Sequence, residues 1–276
     1  MSTHLDWFRS NIRERLIDPN AGLKLDLNPY PFREMSFHDA ADYTANLIDE
    51  THDKIFVSFS GGADSEYVMR TFHRNYIEIT PILIETSGNK KELSYAYQCC
   101  DDLGYDPVVL HIDDASYLRW YNRITKEVNG IGIYCIPSIV ACEYAKNNNG
   151  VLIIGEHVLD TDKLSNEIKP GVNEWDFYNE LFVGEEHNIP FFNYTVELCY
   201  AMVKAMRDVP LHVFKAALYG TKLRPIMDYE FSQEFTAVRN VINRTRKNHP
   251  NYTVDLGTKE EFLDALQTRA HLHKDQ

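Results

Sequence analysis

The chain has 276 residues and a mass of 32.1 kDa, which suits one large domain or one domain with an appended lobe. Its 44% hydrophobic and 25% charged content is typical of a globular protein with a sizeable core. The formal net charge of −13 argues against broad, non-specific binding of nucleic acid, because such binding needs Lys and Arg to neutralise phosphates.

The cysteines and the N-terminal residues indicate the compartment. The five cysteines include no CxxC pair, and their odd number does not suggest a disulfide framework. The first residues lack the apolar segment of a secretion signal, and no apolar run approaches the length of a membrane span. These features favour a reducing, cytoplasmic setting with no membrane partner.

The first predicted helix begins at Ser36, whose hydroxyl suits the N-cap position. Residues 1–50 are assigned to an N-terminal helical extension. An i, i+3, i+7 spacing predicts that the buried face of the helix carries Ala40, Tyr43 and Leu47.

Four β-rich runs then alternate with helical patterns. Strands are predicted at residues 54–59, 79–85, 107–112 and 151–155. Helices are predicted at residues 66–75, 90–103, 115–129 and 137–146. The second helix has a predicted core face of Leu93, Ala96, Tyr97, Cys100 and Leu103. This alternation predicts an α/β fold over residues 51–190, with a doubly wound, mainly parallel sheet covered on both faces.

The strand signal fades beyond Pro190, so residues 191–276 are predicted to form a C-terminal helical lobe. Its helices are expected at residues 194–206, 211–218, 231–246 and in the tail after Gly257. One basic run in this lobe is either a solvated helix face, the favoured interpretation, or a local nucleic-acid contact: Arg239, Arg244, Arg246 and Lys247.

The chemically informative segment is Ser60-Gly61-Gly62-Ala63-Asp64-Ser65, called the SGGADS loop below, between the first predicted strand and its helix. Gly61 and Gly62 lack a Cβ, so the backbone can turn tightly and approach a ligand. The N-terminal N–H groups of the following helix make an anion site, to which Ser60 and Ser65 add hydroxyl donors. A carboxylate beside polyphosphate is repulsive unless a cation lies between them, so Asp64 predicts bound Mg²⁺. The alternative is a glycine-rich turn capped by Asp and Ser.

The SGGADS loop resembles the SGGxDS signature of the ATP pyrophosphatase (PP-loop) superfamily. That superfamily includes asparagine synthetase, argininosuccinate synthetase, NAD synthetase, GMP synthetase, sulfate-nucleotide reductases and tRNA-thiolating enzymes. The resemblance implies a Rossmann-like sheet of about five parallel strands. It also implies ATP and Mg²⁺ as cofactors, and cleavage of ATP to AMP and pyrophosphate through an adenylylated substrate. The segment lacks the Gly-Lys-Ser/Thr ending of a Walker loop.

Within the superfamily, residues 36–220 are most similar in layout to the synthetase domain of asparagine synthetase and β-lactam synthetase. The segment after the fourth strand resembles the family's GExxDE element, with one extra residue before the second acid. The resemblance implies metal or substrate roles for Glu156 and Asp160, with solvated loop acids as the alternative. Asn193 stands where the family's PFLD element has Asp.

Lys215 stands where the family has a lysine that steadies the leaving pyrophosphate, so the resemblance implies that role for it. Lys222 is the rival, and a surface lysine on a lobe helix is the simpler alternative. The remaining nucleotide-binding candidates are Ser58, Gly155 and the backbone of Ile84 and Glu85, which is expected to flank the adenine.

Two further residue types are expected to have no part in the chemistry. His111 lies in an apolar run and is predicted to be a core histidine. Cys99 and Cys100 are predicted to be inert.

The leading hypothesis is an ATP-dependent ligase or amidotransferase with Asp64, Lys215 and Glu156 as catalytic residues. An acceptor carboxylate or carbonyl oxygen is adenylylated, and an amine or ammonia displaces AMP. A sulfate-nucleotide reductase or thiolation enzyme is disfavoured because no cysteine follows Cys199. A nucleobase-modifying enzyme stays open. A non-catalytic adenine-nucleotide module is disfavoured because the second loop glycine and the loop aspartate are both present.

The expected partners follow from the same resemblance. The family's full enzymes begin with a glutaminase domain whose nucleophile is an N-terminal Cys, where this chain has Ser2. We therefore expect a small-molecule acceptor and an amine donor, with a separate glutaminase subunit as a further possibility. A homo-oligomer is compatible with these expectations.

Overall fold

The structure, a computed structural model, describes residues 7–10, 25–27, 30–124, 135–155, 159–161, 168–170, 187–206, 211–221, 240 and 258–271. Its strands are β1 (Phe8–Ser10), β2 (Leu25–Leu27), β3 (Ile55–Ser58), β4 (Thr80–Thr86), β5 (Val108–Ile112), β6 (Val151–Ile154), β7 (Leu159–Thr161), β8 (Ile168–Pro170) and β9 (Asn188–Pro190). Its helices are α1 (Phe37–Thr51), α2 (Ala63–Arg74), α3 (Lys90–Leu103), α4 (Asp114–Ile124), α5 (Cys135–Asn147), α6 (Phe191–Tyr194), α7 (Val196–Ala205), α8 (Leu211–Tyr219) and α9 (Lys259–His271). The predicted helix at 231–246 lies outside the described residues, apart from Asn240.

Five strands form one parallel sheet in the order β5-β4-β3-β6-β9. From β3 the chain runs outward through β4 to β5, and then crosses back to β6 and β9 on the other side. The other described strands make two separate antiparallel pairs, β1 with β2 and β7 with β8. Where strand order reverses, between β3 and β6, an open α/β sheet leaves a crevice at the carboxyl ends of its strands.

The sheet separates two apolar layers, because successive side chains of a strand point to opposite faces. Ile55 and Val57 of β3 pack with α1, α2 and α3, whereas Phe56 packs on the other face with α4 and α5. Helices therefore cover both faces, and the predicted doubly wound parallel α/β fold is confirmed. Trp7 and Phe262, near the two ends of the chain, are buried in the same layer as Phe56.

One of two predicted helix starts near the site is observed as predicted, and the other lies three residues earlier in the chain. Ser36 caps α1 as predicted, and its Oγ accepts the Asp39 N–H at 3.2 Å. Helix α2 begins at Ala63 instead of Glu66, because Gly62 takes the N-cap conformation. Asp64 therefore lies in the first helical turn, where the helix dipole favours a negative charge.

Two predicted core positions are wrong. Ala40 and Leu47 of the predicted face of α1 are buried, but Tyr43 is 42% exposed because the buried face is centred near Thr44 and Ile48. Tyr97 is 37% exposed because the buried face of α3 is rotated toward the buried Cys99.

The fifth strand, β9, was located by no sequence pattern. Its three residues are too few to show a strand periodicity, and only the family resemblance implied about five strands. Its residues are nevertheless buried beside β6. None of the helices described above is long and apolar enough to span a membrane.

Candidate functional site

The SGGADS loop is a compact turn held by its own glycines and serines. Gly61 has a φ of 82°, a left-handed conformation that favours glycine. The Gly62 N–H donates to Ser60 Oγ at 3.3 Å, and the Ser65 hydroxyl donates to the Gly62 carbonyl oxygen at 3.2 Å. Ser60 Oγ and Ser65 Oγ are themselves 3.3 Å apart. Both predicted hydroxyl donors therefore lie together at the N-terminus of α2.

The end of β6 packs directly against this loop. A Cβ at Gly155 would lie 2.8 Å from both the Cα and the backbone nitrogen of Ser65, and 3.1 Å from the carbonyl carbon of Asp64. A Cβ at Gly62 would lie 3.2 Å from Ser60 Oγ, a milder overlap. The absence of a side chain at Gly155 thus lets the end of β6 approach the first turn of α2 at the switch in strand order.

Helix α8 brings two donors to Asp64. Lys215 Nζ donates to Asp64 Oδ2 at 2.7 Å, and the Tyr219 hydroxyl donates to Asp64 Oδ1 at 2.5 Å. The side chains of Lys215 and Asp64 are only 15% and 27% exposed. Water therefore screens this ion pair less than a surface pair. The lysine singled out by the family resemblance contacts the carboxylate at the start of α2.

Tyr219 is the residue of this site that the sequence analysis missed. Its ring stacks on Tyr67 with the centroids 4.6 Å apart, and lies 6.0 Å from the Phe37 ring and 5.9 Å from the Phe192 ring. Burial, and then the charge of the Asp64 carboxylate, raise the pKa of the Tyr219 hydroxyl well above its ordinary value. The hydroxyl is therefore protonated at neutral pH and is the donor to Asp64.

Helix α8 ends at Tyr219 for a local reason. Gly220 takes a left-handed φ of 66°, and the Thr221 N–H returns to the Ala216 carbonyl oxygen at 3.1 Å. This is the usual glycine-terminated helix end. Lys222, the rival to Lys215, follows the helix and lies outside the described residues.

The end of β4 leads into a second turn, which is held by hydrogen bonds between a side chain of the turn and the backbone of the strand. The Asn89 side chain accepts the Thr86 N–H at 2.9 Å and donates to the Ile84 carbonyl oxygen at 2.7 Å. Glu85 is half-buried and pairs with His111 Nδ1 at 3.3 Å. The prediction of a core histidine is wrong, since the His111 side chain is 71% exposed on β5, the outermost strand of the sheet on that side.

The structure describes some of the remaining predicted site residues fully, one only as backbone and one not at all. Ser58 is the last residue of β3 and is half-buried, and Ala63 is the first residue of α2. Glu156 lies outside the described residues, and Asp160 is described only as part of the backbone pair between β7 and β8.

The carboxylate of Asp64 offers oxygen ligands, which are the kind that Mg²⁺ prefers. In the described parts of the chain, no group of three or more His, Cys, Asp or Glu side chains is placed to hold a metal ion. Mg²⁺ does not require such a group, because it is usually bound by one or two carboxylates together with substrate phosphates and water. A carboxylate offers about four lone-pair positions, so hydrogen bonds from Lys215 and Tyr219 are compatible with Asp64 also acting as a Mg²⁺ ligand. The residues present fit the cation.

The cysteines for which side chains are described are buried: Cys99, Cys100, Cys142 and Cys199. Burial raises the pKa of the Cys100 and Cys199 thiols to about 12. Thiols of this kind are protonated at neutral pH and react slowly as nucleophiles. This supports the expectation that Cys100 is inert, and Cys99 is buried beside it.

Comparison with known proteins gives structural neighbours. No protein-family model matches the sequence, and no curated protein matches it. The structure is similar to NMN synthetase from Francisella tularensis, with 10% identity and a TM-score of 0.38, covering 79% of this chain and 99% of that one. It is also similar to the NH3-dependent NAD synthetase from Campylobacter jejuni subsp. jejuni NCTC 11168 in complex with the nitrate ion. For that structure the identity is 15% and the TM-score 0.37, covering 87% of this chain and 96% of that one. Likeness at this level does not extend to activity.

Proposed function

We propose that the protein is an ATP pyrophosphatase of the ligase type. It binds ATP at the SGGADS loop and breaks the bond between the α- and β-phosphates, giving pyrophosphate and an adenylylated acceptor. An amine or ammonia then displaces AMP from the acceptor carboxylate or carbonyl carbon. The observation that carries the proposal is the meeting of Asp64 and Lys215 beside the loop, at the carboxyl edge of a parallel sheet.

The loop supplies the elements of a phosphate site. The N-terminus of α2 carries the positive end of the helix dipole, and its first N–H groups point at the space in front of it. The hydroxyls of Ser60 and Ser65 lie 3.3 Å apart at the same place. A polyphosphate seated there accepts hydrogen bonds from the backbone and from the Ser60 hydroxyl, as anions commonly do at helix N-termini. The Ser65 hydroxyl joins them when it turns away from the Gly62 carbonyl oxygen, because a hydroxyl has one donor hydrogen.

The two charged side chains favour cleavage with pyrophosphate as the leaving group. The Lys215 ammonium has three donor hydrogens, so one bond to Asp64 leaves others for phosphate oxygens. A cation at this position stabilises negative charge that develops on pyrophosphate as the bond breaks. Asp64 holds the ammonium at the loop and repels a polyphosphate that arrives without a cation. Mg²⁺, when bound, neutralises part of the phosphate charge.

The acceptor and the nitrogen source complete the proposal. Glu156 and Asp160, which follow β6 in the sequence, are proposed to act on the metal or the acceptor. Nitrogen would come from ammonia, an amine substrate or a separate glutaminase subunit.

The decisive experiment is to incubate the protein with α-labelled ATP, Mg²⁺ and a panel of carboxylates and amines. Formation of labelled AMP, stimulated by one compound of the panel, supports the proposal and names the acceptor. Labelled ADP means that the β–γ bond is cleaved, and no turnover with tight ATP binding favours a non-catalytic nucleotide module.

A matched pair of variants ties the activity to the site. Asp64→Asn should lower Mg²⁺-dependent turnover by roughly a hundredfold or more, since one charged oxygen ligand is lost. Asp39→Asn makes the same change in the first turn of α1, where Asp39 is exposed and bonds to Ser36. That control should retain the activity of the wild type. Equal turnover in both variants would contradict the role of Asp64.

A further inference from the structure

Tyr219 differs from the other aromatic residues around it in where its hydroxyl points. Four rings from α1, α2, α6 and α8 stack on one another: Phe37, Tyr67, Phe192 and Tyr219. Two of the four are phenylalanines, so the stack itself needs no hydroxyl. The Tyr219 hydroxyl nevertheless reaches from this apolar stack to Asp64 Oδ1 at 2.5 Å.

The two donors of α8 act on different oxygens of the same carboxylate. Lys215 and Tyr219 are four residues apart in a helix, so they lie on one face, one turn apart. The lysine takes Oδ2 and the tyrosine takes Oδ1. Together these two hydrogen bonds fix the rotation of the carboxylate about its Cβ–Cγ bond, which neither of them fixes alone.

We infer that Tyr219 is a positioning residue, which holds the Asp64 carboxylate in the orientation that the Mg²⁺-nucleotide requires. The tyrosine is suited to this task because the residue is only 6% exposed and its ring is packed on three other rings. Its hydroxyl cannot follow the carboxylate if the carboxylate turns. The inference rests on the proposed function, because it assigns Tyr219 to the same nucleotide site.

The test uses two isosteric variants of the full chain. Tyr219→Phe removes the hydroxyl bonded to Asp64, and Tyr67→Phe removes a hydroxyl from the neighbouring ring of the same stack. The Tyr67 hydroxyl bonds to His38 and Arg74 instead. Both variants keep the rings, so loss of the stack is not an explanation for a difference between them.

The first readout is the binding of a fluorescent ATP analogue, followed by anisotropy while Mg²⁺ is titrated. Tyr219→Phe should raise the Mg²⁺ concentration for half-maximal binding roughly tenfold or more, because the bond removed is to a charged group. Tyr67→Phe should leave that concentration unchanged. If the wild type binds the analogue and both variants match it, the positioning role is wrong. A wild type that binds no analogue overturns the proposed function instead.

The second readout requires no nucleotide. Urea unfolding is measured for Tyr219→Phe, for Asp64→Ala and for the double variant, as a double-mutant cycle. We expect Tyr219→Phe to raise the unfolding equilibrium constant about tenfold in the Asp64 protein and far less in the Asp64→Ala background. Equal effects in the two backgrounds would mean that the hydroxyl and the carboxylate are not coupled. That outcome overturns the inference even if the protein cleaves ATP as proposed.

Discussion

Replacing Gly155 by alanine would push a methyl group into the backbone of the SGGADS loop. The added Cβ would lie 2.8 Å from the Cα and the nitrogen of Ser65, about 0.6 Å inside ordinary van der Waals contact. Both atoms belong to the backbone, so no side-chain rotation relieves the overlap. The loop and the end of β6 must move apart by about that distance.

This displacement has a cost in stability and a cost in binding. Overpacking of this kind destabilises proteins by about 1–3 kcal/mol. A shift approaching 1 Å in a preorganised site costs up to about a hundredfold in function. We therefore expect Gly155→Ala to weaken binding of a fluorescent ATP analogue by about ten- to a hundredfold.

Gly150→Ala is the matched control, because Gly150 precedes the other end of β6. There a Cβ would lie 2.6 Å from Phe56 Cε2 and 2.8 Å from the Lys54 carbonyl oxygen, an equally severe overlap far from the loop. Urea unfolding should show a similar loss of stability in both variants, with weakened nucleotide binding in Gly155→Ala alone. Nucleotide binding that falls equally in both, or in neither, would refute the reasoning.

Three further predictions test other parts of the structure. Lys215→Ala should lower the turnover of ATP by about two to four powers of ten, with a smaller change in ATP affinity. Lys215→Arg should restore little of the turnover. A fall in ATP affinity alone would contradict a role of Lys215 on the leaving group. Tyr76 follows the end of α2, is 97% exposed and has a left-handed φ of 59°, a conformation that favours glycine. Tyr76→Gly should therefore stabilise the protein by about 0.5–1 kcal/mol, and a lower urea midpoint would contradict this. Burial raises the thiol pKa of Cys100, Cys142 and Cys199, so iodoacetamide at pH 8 should modify these three cysteines only after unfolding. Rapid labelling of the native protein would exclude the buried arrangement.

The parts of the fold that the sequence predicts correctly are those fixed by local pattern. Helix α3 has the bounds predicted from its apolar spacing and its terminal Gly104. The bounds of the strands β3, β4, β5 and β6 each lie within one residue of the predicted bounds. The exposure of His111 was not predictable in this way, because it depends on β5 lying at the edge of the sheet. Strand order is a property of the whole chain and leaves no signal in an apolar run.

The site likewise has one part that is predictable from local sequence and another part that depends on the whole fold. The SGGADS loop is a continuous segment whose glycines and hydroxyls show its chemistry directly. Lys215 is 151 residues away from Asp64, and only the family resemblance connected the two. Tyr219 was missed because an aromatic residue at the end of an apolar helix usually belongs to the core. Its hydroxyl matters only once the fold has brought α8 against α2.

The spacing of Lys215 and Tyr219 gives this chain a second sequence signature beside the loop. Inserting or deleting one residue between them would rotate one side chain by about 100° around the helix axis, away from Asp64. Gly220 fixes where the helix stops, so the pattern includes it: Lys, three residues, Tyr and Gly. A related chain that keeps SGGxDS without this pattern would retain the phosphate turn and lack one or both of these donors. The two-part signature therefore separates chains that share this whole site from chains that share only its loop.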